Sequence, residues 1–227
     1  MKALIYKEFK LAMHPICYVF ILLFPFTILI PSYPLGVGFI YVLTCYPILF
    51  LGANKGQQSN DLLYSTLLPV RKKDIVMARI ITVILMQVTF IALTSALYPL
   101  ARIINNLVSQ SSPNLEDYAN PGLGLDSYVL LLAVVIIGYA IADLIFFPIY
   151  YKKGKSIVMS TLSTILGFVV YIGVFTVALP YIPGLKILNN LHIGIQFCVL
   201  AGALVTSFVI HIVVYKVSSK RLEKVDF

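Results

Sequence analysis

GQQSNDLLYSTLLPVRKKDIVMAR, from Gly56 to Arg79, is a polar island between long apolar segments, and it holds the densest run of positive charge in the chain. Pro69 ends one short helical pattern, Asp61 to Leu68, and Asp74 opens another that runs straight into apolar residues. The island therefore reads as helix, turn and helix start. A loop that only joins two spans can be a few residues long, whereas this one spends more than twenty on alternating apolar and polar positions. Two readings stay open: a surface that docks onto another protein, and a basic loop that fixes topology.

The rest of the chain reads as membrane. Of 227 residues, 60% are hydrophobic and 11% charged, with mean hydropathy +0.95; soluble domains carry about 25% charged residues. The expected fold class is an all-α integral membrane protein forming one transmembrane domain over residues 1–227. A net charge of +8 raises the question of nucleic acid, but the basic residues are scattered beside apolar runs rather than gathered on a polar module. They read as topology determinants, and no nucleic-acid partner is expected. Cys17, Cys45 and Cys198 all lie in apolar runs without metal spacing, so they read as small core residues.

From Leu11 to Asn54 there is no Lys, Arg, Asp or Glu. These 44 residues would make about 66 Å of helix, twice a ~30 Å hydrocarbon core, so they hold two spans. The break belongs near Pro31 to Gly36, giving spans at about 15–32 and 36–53, with kinks expected at Pro25 and Pro47. Further spans are expected at about 80–101, 128–150, 157–179 and 195–215, with a polar loop from Arg102 to Asp126 and a tail from Lys216. Ahead of the first span, Lys7, Lys10 and His14 share one side and Ile5, Phe9 and Ala12 the other, which predicts a short interfacial helix; Glu8 weakens the pattern. No small-x-small cleavage site follows, so this start reads as retained.

Six spans put both termini on one side. Placing them in the cytoplasm puts fifteen of the seventeen Lys and Arg residues inside, leaving only Arg102 and Lys186 outside, as the positive-inside rule requires. The island is then cytoplasmic.

Catalytic chemistry has no visible home. Gly154-Lys155-Ser156 resembles the end of a phosphate-binding loop, but Ile149 stands where the first glycine is needed, and the tripeptide joins two membrane helices. No converging set of His, Asp, Glu or Cys suggests hydrolysis or a metal site. Asp143 is the one acidic residue deep in a span; burying it costs about 3 kcal/mol on insertion scales, so it must face a partner or a wet cavity. Either it bonds a Ser, Thr, Tyr or the His211 imidazole, or it belongs to a proton relay. Ser156, Ser160, Ser163 and Gly167 fall on one helix face and allow close approach of a neighbour. That face serves packing within one subunit, a dimer interface or a substrate path.

Two motifs carry a family resemblance: LPVRKKDIV (Leu68 to Val76) before the third span, and FPIYYKKGKS (Phe147 to Ser156) after the fourth. With six spans and the MKALIYKEFK start, they resemble the membrane subunits of ABC-2-type exporters, particularly the small permeases related to phenol-soluble-modulin exporters. The unbroken Arg71-Lys72-Lys73 run departs from that pattern. The resemblance implies that the island is a coupling helix fitting a groove of a separate ABC ATPase, with Asp61, Leu62, Leu63, Leu67, Leu68, Arg71, Lys72, Lys73 and Asp74 as candidate contacts. It implies two ATPases, a second permease, the same or homologous, and a bacterial plasma membrane. This chain would bind no cofactor, ATP and Mg being held by the ATPase. Apolar walls suit an amphipathic or hydrophobic substrate, such as a phenol-soluble-modulin-like or antimicrobial peptide. The competing classes are a stand-alone secondary transporter or channel using Asp143, and a structural or regulatory membrane protein.

Overall fold

The computed structural model describes residues 2–29, 41–42, 70–111, 128–153, 157–181 and 192–224. Most of the polar island, including Asp61, Leu62, Leu63, Leu67 and Leu68, lies outside the described residues, as do Pro47, Ser156 and all but two residues of the second expected span.

Among the described residues the protein is helical. Helix α1 (Lys2–Lys7) runs into a π turn, Glu8–Ala12; α2 (Ile16–Leu23) runs into a 3-10 segment, Phe24–Leu29; then come α3 (Lys72–Ser111), α4 (Tyr128–Lys153), α5 (Ile157–Tyr181) and α6 (Ile193–Glu223). Three of these are long and apolar enough to cross a membrane, over Lys72–Leu107, Tyr128–Lys152 and Ile193–Glu223. Shorter apolar helices cover Ile16–Leu29 and Val158–Val174. Along α6, Leu204, Val205, Phe208 and Val209 are each more than half exposed. An apolar surface that continuous would drive association in water and sits comfortably only against lipid tails.

Several boundaries differ from the sequence expectation, each for a local reason. Helix α3 begins at Lys72, two residues before Asp74, where the sequence opens it; Asp74 sits in its first turn, where a negative charge complements the helix dipole. It also continues through Pro99 to Ser111, into the stretch expected as loop. Pro99 removes one hydrogen bond, and the turns on either side keep theirs. Helix α6 likewise carries the charged tail as helix as far as Glu223. At its other end the His192 side chain accepts a hydrogen bond from the Gly194 N–H at 3.3 Å, which serves as a cap. In the first apolar run the α-helix gives way to 3-10 geometry from Phe24 onward, around Pro25.

Helix α4 is the centre of the bundle, packed along α6 and α5. Phe146, Phe147 and Tyr151 are fully buried, and Tyr139 meets the ring of Tyr41 at 4.9 Å, which in turn meets Phe90 of α3 at 5.1 Å. The α4–α5 seam depends on glycine. A Cβ on Gly138 would lie 2.8 Å from the Phe168 ring and 3.0 Å from Tyr171, whose hydroxyl donates to the Val134 carbonyl at 2.9 Å.

Candidate functional site

Deep in the bundle, α3, α4 and α6 are joined through a single carboxylate oxygen. Asp143 is fully buried; its Oδ2 accepts from Gln87 Nε2 at 3.0 Å and lies 2.9 Å from His211 Nε2. Those three residues come from three helices, so the contact fixes how the helices sit at that depth. The other ring nitrogen, His211 Nδ1, is 2.7 Å from the Ser207 carbonyl. A carbonyl only accepts, so Nδ1 must carry a hydrogen. The Nε2–Oδ2 contact then needs one further proton, held either by His211 as an imidazolium facing a carboxylate or by Asp143 as a neutral acid facing a neutral imidazole. Both arrangements leave the pair with no net charge, the condition under which a carboxyl group is tolerable inside a membrane.

A second buried polar group sits near the start of α3. Arg79 donates from Nε to Glu8 Oε2 at 2.7 Å and from a terminal nitrogen to the Tyr150 hydroxyl at 3.0 Å. Both charged side chains are at least nine-tenths buried, and Lys7 approaches the other Glu8 oxygen at 3.6 Å. The π turn that carries Glu8 is thereby clamped to α3 and α4. What reads in the sequence as a flaw in an amphipathic pattern is half of an ion pair whose partner lies 71 positions away.

At the start of α3, Arg71 bonds Asp74 at 3.1 Å and Lys73 reaches Glu223 of α6 at 3.3 Å. Arg71 is exposed, and the carboxylate beside it raises its affinity for its proton further. Lys72 is partly buried. Arg221 of α6 donates to the Pro148 carbonyl of α4, so the charged ends of α3, α4 and α6 are tied into one platform. On α5, Ser160 and Thr164 are buried, Ser163 and Gly167 are partly exposed, and a Cβ on Gly167 would meet Ile145 of α4 at 2.3 Å. The described part of this small-residue face thus includes a close approach within one chain.

With that geometry in view, a family model described as ABC-2 family transporter protein matches residues 3–220. The chain belongs to the ABC-2 transporter family. No curated protein and no solved structure matches it. As an ABC-2 permease it is a membrane-embedded subunit of an ABC transporter, and its polar contacts acquire a setting. Glu8, Arg79, Tyr150 and Gln87 are the residues that sequence reasoning misses as a site. The available signals are weak: an acid between Lys7 and Lys10, an arginine inside Val76-Met-Ala-Arg79-Ile-Ile, and one amide in an otherwise apolar span.

Proposed function

We propose that this ABC-2 permease is the transmembrane subunit of an ATP-driven exporter whose energy comes from a separate ATPase. The observation that carries the reading is the family match across residues 3–220. In this reading six spans place both termini in the cytoplasm of a bacterial cell, two permeases pair with two ATPases, and ATP and Mg stay on the ATPase. The island from Gly56 to Arg79 is the coupling element: Leu62, Leu63, Leu67 and Leu68 provide its buried anchors, and Arg71, Lys72 and Lys73 steer the approach, because interfaces draw most of their energy from a few buried side chains. The ties from Lys73 to Glu223 and from Arg221 to Pro148 support the reading, since force applied at the start of α3 would reach α4 and α6 together. The substrate is amphipathic or hydrophobic, such as a phenol-soluble-modulin-like peptide.

Purification from native membranes through a tag on this chain, with mass spectrometry of what remains bound, tests the partnership. An ABC ATPase should be recovered with the wild type and depleted at least tenfold with Leu63→Ala plus Leu67→Ala. Full recovery with the double variant reduces the island to a topology loop. One observation favours a second reading, a proton-linked transporter: the Asp143–His211 contact holds a proton between two titratable groups. Export by Asp143→Asn at wild-type rates across external pH would dismiss it.

A further inference from the structure

Beside the Asp143 cluster, α3 and α6 splay apart over a groove of about 550 Å³. Met77, Ile84 and Ile91 line it from α3 and Phe208, Ile212 and Tyr215 from α6, with α4 as its floor. From Met77 to Ile91 the groove follows α3 for about 21 Å at 1.5 Å per residue, which exceeds the ~15 Å that half a hydrocarbon core measures. Its rims, Val88, Leu204 and Phe208, are more than half exposed, so it opens sideways to the bilayer.

We propose that this groove is a binding site for one acyl chain of an anionic phospholipid, with the phosphate held at the charged ends of α3 and α6. This rests on the membrane placement of the helices and not on the transport reading. Three observations select that occupant. First, the amide and the imidazole in the wall are already engaged: Gln87 and His211 with Asp143, and His211 again with the Ser207 carbonyl. A polar or charged ligand would find little to bond there, whereas an apolar chain leaves those bonds intact. Second, the groove runs about 21 Å along α3, shorter than the ~30 Å of a spanning helix, so a partner helix would overrun it whereas one acyl chain, about half the bilayer's thickness, would not.

Third, charge is concentrated at one end. Residues 71–74 and 216–224 hold seven basic and two acidic side chains, and the Lys73–Glu223 contact brings the two stretches together. Tyr215, which lines the groove, directly precedes the basic stretch that begins at Lys216. At the other end, neither 80–101 nor 193–215 contains a Lys, Arg, Asp or Glu. Basic side chains at a membrane surface strengthen anionic lipid binding by about fivefold each.

The test is native mass spectrometry of the full chain, purified in detergent and exposed to vesicles of dioleoyl-phosphatidylglycerol or dioleoyl-phosphatidylcholine, which share acyl chains and differ in charge. The wild type should retain one phosphatidylglycerol at least tenfold more strongly than phosphatidylcholine. Ile84→Trp, which fills the groove, should reduce retention of both about tenfold, and Leu204→Trp on the exposed rim does the same with less risk to folding. Arg71→Gln with Lys72→Gln should keep the chain bound but cut the preference for phosphatidylglycerol at least fivefold. Equal retention of the two lipids by the wild type, undiminished retention in a folded Trp variant, or recovery of a peptide in place of lipid overturns the proposal. Failure to recover any ATPase with the wild-type chain while the lipid is retained would count against the transport reading alone.

Discussion

Two buried polar groups in this permease solve the same electrostatic problem differently. The Glu8–Arg79 contact keeps both formal charges, with Tyr150 and Lys7 completing its surroundings, close to the basic end of the bundle. Asp143 sits eight residues along α3 from that level, beside Gln87, and pairs with a histidine that can share its proton. Arginine cannot give up its proton in a protein, so the first pair must remain ionic and needs full compensation. The second can be neutral in every part. The difference teaches that depth selects the partner: an always-charged group near the interface, a proton-sharing group in the middle.

Breaking the first pair should have the largest effect. Arg79→Ala leaves buried Glu8 with only the longer Lys7 contact and should cost about 3 kcal/mol, read as a lowered melting temperature in detergent and loss of protease protection at the N-terminus. Glu8→Leu with Arg79→Met should recover most of that loss, since an apolar pair of similar size replaces a buried ion pair at little cost. A single Arg79→Ala variant as stable as wild type would remove the clamp from the account.

Next comes the mid-bundle cluster. Asp143→Leu orphans Gln87 and His211 at about 1–3 kcal/mol for each unsatisfied group, whereas Asp143→Asn should orphan one of them and cost about half as much. Because both contacts fall on Oδ2, Asn keeps one of them at the observed side-chain position, either its oxygen accepting from Gln87 or its N–H donating to a neutral His211 Nε2, where Leu keeps neither. If Asn proves as damaging as Leu in thermal unfolding, the pair is ionic and the contrast with Glu8–Arg79 collapses.

The α4–α5 seam, held by close packing and the Tyr171–Val134 hydrogen bond rather than by charge, sharpens the comparison. Gly138→Ala drives a methyl into the rings of Phe168 and Tyr171 and should cost about 1–3 kcal/mol. Gly167→Ala meets only the flexible end of Ile145 and should cost less. Equal melting temperatures for the two would show that the rings move freely. Smallest of all, Lys73→Ala removes a contact to Glu223 that is about half exposed at both ends and should change stability by less than about 1 kcal/mol.

Much of this organisation is legible in the sequence, and the rest is hidden for definite reasons. Apolar runs declare the helices because the bilayer demands continuous hydrophobicity over a fixed length. Asp143 stands out for the same reason, as an acid within 128–150. Gln87 does not, because an uncharged amide barely disturbs hydropathy. Glu8 and Arg79 are visible as residues and invisible as a pair, since nothing in local spacing relates positions 71 apart. Helix ends are the poorest reading: 102–111 looks like loop and 216–223 like tail, yet both stretches are helical, the second tied by Glu223 to Lys73 and by Arg221 to the Pro148 carbonyl.

The central claim is that this chain moves substrate only when a separate ATPase supplies the energy. Proteoliposomes containing the chain alone, and others containing it with the ATPase recovered alongside it, can be assayed together for ATP turnover and for uptake of an amphipathic peptide. The account predicts no turnover and no uptake by the chain alone, and ATP-dependent uptake by the complex that vanishes when the ATPase is inactivated. ATP turnover by this chain alone, or uptake driven by a pH gradient without ATPase, would contradict it.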